Sequence, residues 1–225
     1  MRVRRQVAFA GVNDKRIRRL MKHAGIQAKT PRQRVTTTQS AHAFERDPNL
    51  LASLPQNDHP EQVWACDLTY IKRANGAFVY LAIVLDGFTR MIRAGSLGRE
   101  ITHALAREAL RGALRKRTPD IHHSDQGVQY ATPLYTDVLK QQAIQISMRD
   151  KGAAWQNGFA ERFMLTLKEE EVDLTEYEDS YDALNTIGPF MDAVYPKKRI
   201  HSSLGILPQP NSSVIGAQRI AESPP

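Results

Sequence analysis

From Val63 the apolar positions alternate: Trp64, Cys66, Leu68 and Tyr70 fall on one face of an extended segment, and Ala65, Asp67, Thr69 and Ile71 on the other. Asn75-Gly76 is a hairpin turn signal, and the continuous apolar run Phe78 to Leu85 reads as a second, more buried strand. Asp86-Gly87-Phe88-Thr89-Arg90 marks another turn, with a third strand from about Met91 to Gly95. The period then changes. Leu105, Ala109, Leu110, Ala113 and Leu114 recur at helical spacing within about Thr102 to Arg117, and Pro119 closes that helix. Ile121 to Ser124 is a short strand, Pro133 to Gln142 a helix, and Ile144 to Met148 a last strand. A further helix-like stretch runs from Phe159 to Glu169.

Three antiparallel strands followed by α-β-α-β and more helices predict an α/β chain with a mixed five-stranded sheet flanked by helices, the RNase H-like plan. A short basic helical arm precedes it. Asn13 can cap a helix over Asp14 to Ala24, Gly25 suits its left-handed stop, and Ile17, Leu20, Met21 and Ala24 form its apolar stripe. Such a helix buries too little to stand alone. From about Gln27 to Pro60 the chain is polar and proline-containing without a sustained period, which reads as a linker. The expected division is therefore residues 1–26 as arm, 27–60 as linker, 61–208 as the catalytic body and 209–225 as a disordered tail.

Composition narrows the function. In 225 residues no apolar run approaches the ~18 that a membrane span needs, and no secretory core follows the charged start. One cysteine, Cys66, excludes an internal disulfide framework and a cysteine-rich zinc site. A bacterial cytoplasmic, nucleoid-associated protein is the expectation. Charge is lopsided. Residues 1–36 hold eleven Lys/Arg against the single acid Asp14, leaving the other 189 residues at net −3 of the overall +7. A basic arm on a near-neutral body is an electrostatic grip for nucleic acid, with Lys15, Arg16, Arg18 and Arg19 as its DNA-binding residues.

Three acids stand out against this background. Asp67 lies inside an apolar strand, Asp125 ends the strand Ile121 to Ser124, and Glu161 opens the helix from Phe159, with 35 residues between the last two. Ionised carboxylates on buried elements must be paired or bind a cation. Three that meet at the end of one sheet suggest a divalent-metal site for phosphodiester chemistry. Other polar residues have plainer readings. Asp86 precedes Gly87 and reads as a turn residue, Glu169-Glu170-Glu171 as a solvated helix face, and His122 and His123 as core residues with backbone-bonding roles. Trp155, in the loop Lys151 to Gly158, either stacks on nucleic acid or caps the core.

The motifs carry a family resemblance. Trp64 to Ile71 resembles the first-aspartate strand of the integrase core domain in bacterial insertion-sequence transposases. His122-His123-Ser124-Asp125-Gln126-Gly127-Val128-Gln129-Tyr130 is similar to their "HSDxGxQY" second-aspartate motif. Asn157 to Lys168 is similar to their third-acid helix, including the lysine seven residues after the glutamate. Lys198 to Gly205 resembles the "R-x-HSSLG" segment, and Val12 to Met21 the last helix of a helix-turn-helix segment. The likeness covers about Val63 to Pro208.

The resemblance implies a D,D-35-E transposase. Asp67, Asp125 and Glu161 would be catalytic and would hold two Mg²⁺ (or Mn²⁺) ions, one activating water or a DNA 3′-hydroxyl and the other stabilising the leaving oxygen. Lys168 would contact DNA near the scissile phosphate, and Arg162 its backbone. The implied partners are double-stranded DNA at transposon ends and target, further copies of the chain, and an upstream-frame DNA-binding protein, with no membrane. Two other readings compete. One is a truncated, catalytically silent DNA-binding remnant or inhibitor of transposition. The other is an RNase H-type or junction nuclease, against which the second-aspartate and "HSSLG" motifs speak.

Overall fold

The computed structural model describes residues 13–25, 43–44, 46–150 and 157–195. The chain divides into two compact units, Met1–Thr37 and Thr38–Pro225. In the first, helix α1 (Asp14–His23) begins where the Asn13 side chain accepts a hydrogen bond from the Lys15 N–H at 2.9 Å. It stops where Gly25 takes φ +68°, a left-handed conformation that glycine adopts without a Cβ clash. Both boundaries follow from the residues expected to set them.

The second unit is built on five strands: β1 (Val63–Lys72), β2 (Phe78–Asp86), β3 (Ile92–Gly98), β4 (Ile121–Ser124) and β5 (Gln145–Met148). They lie in the order β3-β2-β1-β4-β5, with β1 antiparallel to β2, β2 antiparallel to β3, and β4 parallel to both β1 and β5. The expected mixed sheet is present, with β3 running three residues beyond its expected end. Gly76, at φ +84°, turns the chain between β1 and β2.

Alternation along β1 and β2 separates two cores. Ala65 and Ile71 with Val79, Leu81, Ile83 and Leu85 pack beneath α5 (Gly158–Glu170) and α6 (Ser180–Pro189). Trp64 and Cys66 with Ala82 and Val84 pack beneath α2 (His103–Leu114), α3 (Val128–Ala131) and α4 (Pro133–Gln141). Each fully buried aliphatic side chain contributes about 1.5–3 kcal/mol, so the two layers hold the sheet between them. The elements α3 and α6 lay outside the expected set. At the end of α6, Pro189 lacks an N–H, and the next residues, Phe190–Val194, widen into a π-helical turn.

Part of the segment expected as linker is attached to the sheet. Leu50 N–H donates to Ser147 Oγ at 3.0 Å, and Met148 N–H donates to Pro48 O at 3.3 Å, so this stretch runs against β5.

Candidate functional site

Strand register assembles the site. Ala65 pairs with His123 and His123 with Ser147, a row running across β1, β4 and β5. The row is real at the side-chain level, because His123 Nδ1 and Ser147 Oγ are 2.8 Å apart. Side chains recur on one face every second residue. Two residues on from this row come Asp67, Asp125 and Arg149; Arg149 lies 3.8 Å from Asp125, and both act electrostatically on Asp67. The backbone continues the ladder, with Arg149 N–H donating to Ser124 O at 3.0 Å.

Each aspartate is oriented by its own backbone. Asp67 Oδ1 accepts from the Leu68 N–H at 2.8 Å, and Asp125 Oδ1 from the Gly127 N–H at 2.9 Å in an Asx turn that leads into α3. The other Asp125 oxygen, Oδ2, lies 3.8 Å from Arg149 Nη2. Asp125 is buried and Asp67 half-buried. Although part of Asp67 reaches the surface, burial is the first cause that pushes its carboxyl up to about 7. The charge of Asp125 raises it further, the Leu68 N–H opposes, Glu161 adds a smaller push, and Arg149 draws it slightly down. All three acids therefore share one electrostatic neighbourhood. Among the described residues no three His, Cys, Asp or Glu side chains close around one point as a ready-made metal cage.

Glu161 reaches this neighbourhood because α5 is tied to β1. Asn157, at the helix start, turns its side-chain Nδ2 onto the Cys66 carbonyl at 2.9 Å instead of capping its own helix. Cys66 precedes Asp67, so the bond connects the strand of the first acid to the helix of the third across 91 positions. Asn157 is buried, and its Oδ1 has no hydrogen-bond partner among the described residues. Glu161 lies in the first turn of α5 and is half-buried. Farther along, Lys168 Nζ sits 4.4 Å from the centroid of the Tyr70 ring, three residues beyond Asp67 on β1. Arg162 is exposed on the same helix. In the first unit Lys15, Arg16, Arg18 and Arg19 are all exposed on α1. Trp155 and the segment Lys198 to Gly205 lie outside the described residues.

The remaining polar residues separate from the site. Asp86 is a turn residue as expected, its Oδ1 accepting from the N–H groups of Phe88 and Thr89, and it is also ion-paired with Arg93 at 2.5 Å. Arg93 reaches Glu61 as well, at 2.6 Å, and Glu61 receives the Trp64 indole N–H at 2.7 Å. His122 and His123 are fully buried, as core residues should be; Tyr135 Oη lies 2.8 Å from His122 Nε2, and Ser147 Oγ 2.8 Å from His123 Nδ1. Burial, with His123 beside it, pushes His122 down to about 3, so it is neutral at pH 7. Two contributors were not singled out from the sequence: Arg149, which only strand register places, and Asn157, which was visible only as part of a motif.

The Integrase core domain family matches residues 57–154, and a second family of the same description matches residues 142–208. A 31 kDa protein of insertion element IS600 from Shigella sonnei is 34% identical over 197 residues, 86% of this chain and 72% of that protein. The transposase for insertion sequence element IS904 from Lactococcus lactis is 33% identical over 85% of this chain and 77% of its own length. In fold, the chain is similar to one from a simian T-cell lymphotropic virus intasome, with a TM-score of 0.51 at 14% identity, covering 81% of this chain and 67% of that one. Relatedness of that extent, running through both aspartate strands and the α5 helix, makes the chain a member of the insertion-sequence transposases with an integrase core domain, the DDE polynucleotidyl transferases of DNA transposition.

Proposed function

We propose that this chain cleaves transposon ends and joins them to target DNA, with Asp67, Asp125 and Glu161 as its acid triad. The observation that supports the reading is that Asp125 and Glu161 both act on the Asp67 carboxyl, with α5 tied to β1 through Asn157. An integrase-type core implies dependence on a divalent metal. The residues fit such a cation. Their donors are carboxylate oxygens, which suit hard Mg²⁺ or Mn²⁺, and the burial and neighbouring acids that raise the Asp67 carboxyl are both offset by a bound cation. When bound, two such ions supply an activated hydroxyl and a stabilised leaving oxygen.

The chain's own residues do the rest. Leu68 and Gly127 N–H groups fix one oxygen of each aspartate, and Arg149 lies beside the second oxygen of Asp125. Asn157 holds α5 so that Glu161 approaches from the helix that covers this face of the sheet. Lys168, steadied against Tyr70, and exposed Arg162 offer positive charge for the DNA backbone on the same helix. Trp155 belongs to this proposal as a stacking residue of the DNA-binding loop. Lys15, Arg16, Arg18 and Arg19 add a sequence-independent grip on phosphate. Residues 61–208 act as the catalytic body, further copies of the chain and an upstream-frame protein as its partners, and the bacterial nucleoid as its place of work. Among the described residues no helix is long and apolar enough to cross a membrane.

The reading as a silent remnant is not favoured, since the relatedness to transposases extends over most of the chain. The test uses DNA from the ends of the element that carries the gene. With Mg²⁺ or Mn²⁺ the chain should cut and join these ends, and Glu161→Gln should reduce joining by more than the roughly 10–100-fold typical of outer-shell losses around a metal. Joining by the variant at the normal rate would remove Glu161 from the triad. Binding without cleavage by either protein, with the upstream partner supplied, would return the remnant.

A further inference from the structure

The row of acids ends in a cation. Arg149, two residues past Ser147 of β5, lies 3.8 Å from Asp125, and both act electrostatically on Asp67. The Arg149 backbone is pinned by its N–H to Ser124 O at 3.0 Å, and its side chain is only 21% exposed. The guanidinium thus lies largely covered beside Asp125, with about a fifth of its side chain open to solvent. Its Nη2 stands 3.8 Å from Asp125 Oδ2, longer than the roughly 2.7–2.9 Å of a locked charge-assisted hydrogen bond. It sits beside the carboxylate without being clasped by it.

We propose that Arg149 is the resident counter-cation of the Asp67–Asp125 pair and competes with the divalent ion for it. The inference rests on the metal-site reading above and adds a residue that sets how tightly that site loads. A guanidinium keeps its charge at any working pH, so it cannot yield the site by losing a proton. Two cations pressed against one carboxylate pair repel each other, so loading requires the Arg149 side chain to swing away. Its backbone anchor does not oppose this, because the motion needs only side-chain torsions. The residue thus lowers the affinity of the empty site and keeps two neighbouring carboxylates together until a metal arrives.

The experiment is a Mn²⁺ titration of the full chain without DNA, read by the resonance signal of the free ion. It compares the natural protein with Arg149→Gln, Arg149→Lys and Asp125→Asn, and melting curves without metal establish that each variant folds. Arg149→Gln should bind Mn²⁺ about tenfold more tightly, a fraction of what a unit charge at such a separation can exert. Arg149→Lys, which keeps the charge, should stay close to the natural affinity, and Asp125→Asn should lose binding. If Arg149→Gln fails to melt cooperatively, Arg149→Met retains the aliphatic stem and replaces it. Unchanged or weaker binding by the neutral variant, with the natural chain binding normally, overturns the competition and leaves the metal site standing. No binding by either protein overturns both.

Discussion

The Asp67 carboxyl illustrates what the site does to a single residue. An aspartate ordinarily ionises near 3.8, and here burial and the neighbouring acids delay this to about 7. Between those values the folded chain holds a proton that the unfolded chain has released. The stabilising contribution is therefore complete below about 3.8 and is lost as pH rises through about 7. Without metal, Asp67→Asn should leave the melting temperature little changed at pH 4 and raise it progressively toward pH 8, relative to the natural chain. A pH-independent difference between the two would show that Asp67 carries no such strain. At the proposed metal site, loading near neutrality would displace a proton, since a cation favours the ionised form. The chemistry of Asp67 was legible in the sequence, because an acid inside Trp64-Ala65-Cys66-Asp67-Leu68 needs a reason to be there. Its coupling to Arg149 was not, because nothing in one strand's sequence specifies which residue of another strand lies beside it.

At the scale of elements, the connection between β1 and α5 is the one on which Glu161 depends. Asn157→Ala removes the amide that reaches the Cys66 carbonyl and leaves a buried acceptor without it, at a cost of about 1–3 kcal/mol. A urea titration should show that loss, and end joining should fall more steeply than stability alone explains, because α5 is free to shift. An unchanged urea midpoint would mean that packing of Phe163 and Leu167 holds the helix without the tie. Strands and long helices followed closely from periodicity: β4 matched its expected span, and α2, α4 and α5 differed by a few residues at their ends. What escaped has identifiable causes. Helix α3 is a single turn following the Asx turn at Asp125, too short to display a period. Helix α6 was not picked out, and Pro189 near its end obscures a helical pattern. The stretch around Leu50 looked like linker because its attachment to β5 uses backbone groups, which leave no mark on side-chain pattern.

For the whole molecule the dominant fact is the separation of charge, with ten net positive charges in residues 1–36 and a slightly acidic remainder. Replacing Lys15, Arg16, Arg18 and Arg19 together by Gln should reduce the slope of log affinity for duplex DNA against log salt by about 3–4, at roughly 0.9 per phosphate contact. The metal-free melting transition of the body should stay where it was, since these side chains are exposed on a separate unit. An unchanged slope would assign the arm a role other than gripping phosphate. The body itself carries a last consequence in Cys66. Its thiol is sealed on the α2–α4 side of the sheet, and burial pushes it far above the usual thiol range, with Asp67 adding to the shift. The only sulfhydryl of the chain is thus closed to maleimides and to air oxidation while the fold is intact. A cysteine placed on an exposed position would be the sole reactive handle, so fluorophores or spin labels can be attached to this transposase without first removing the natural residue beside Asp67.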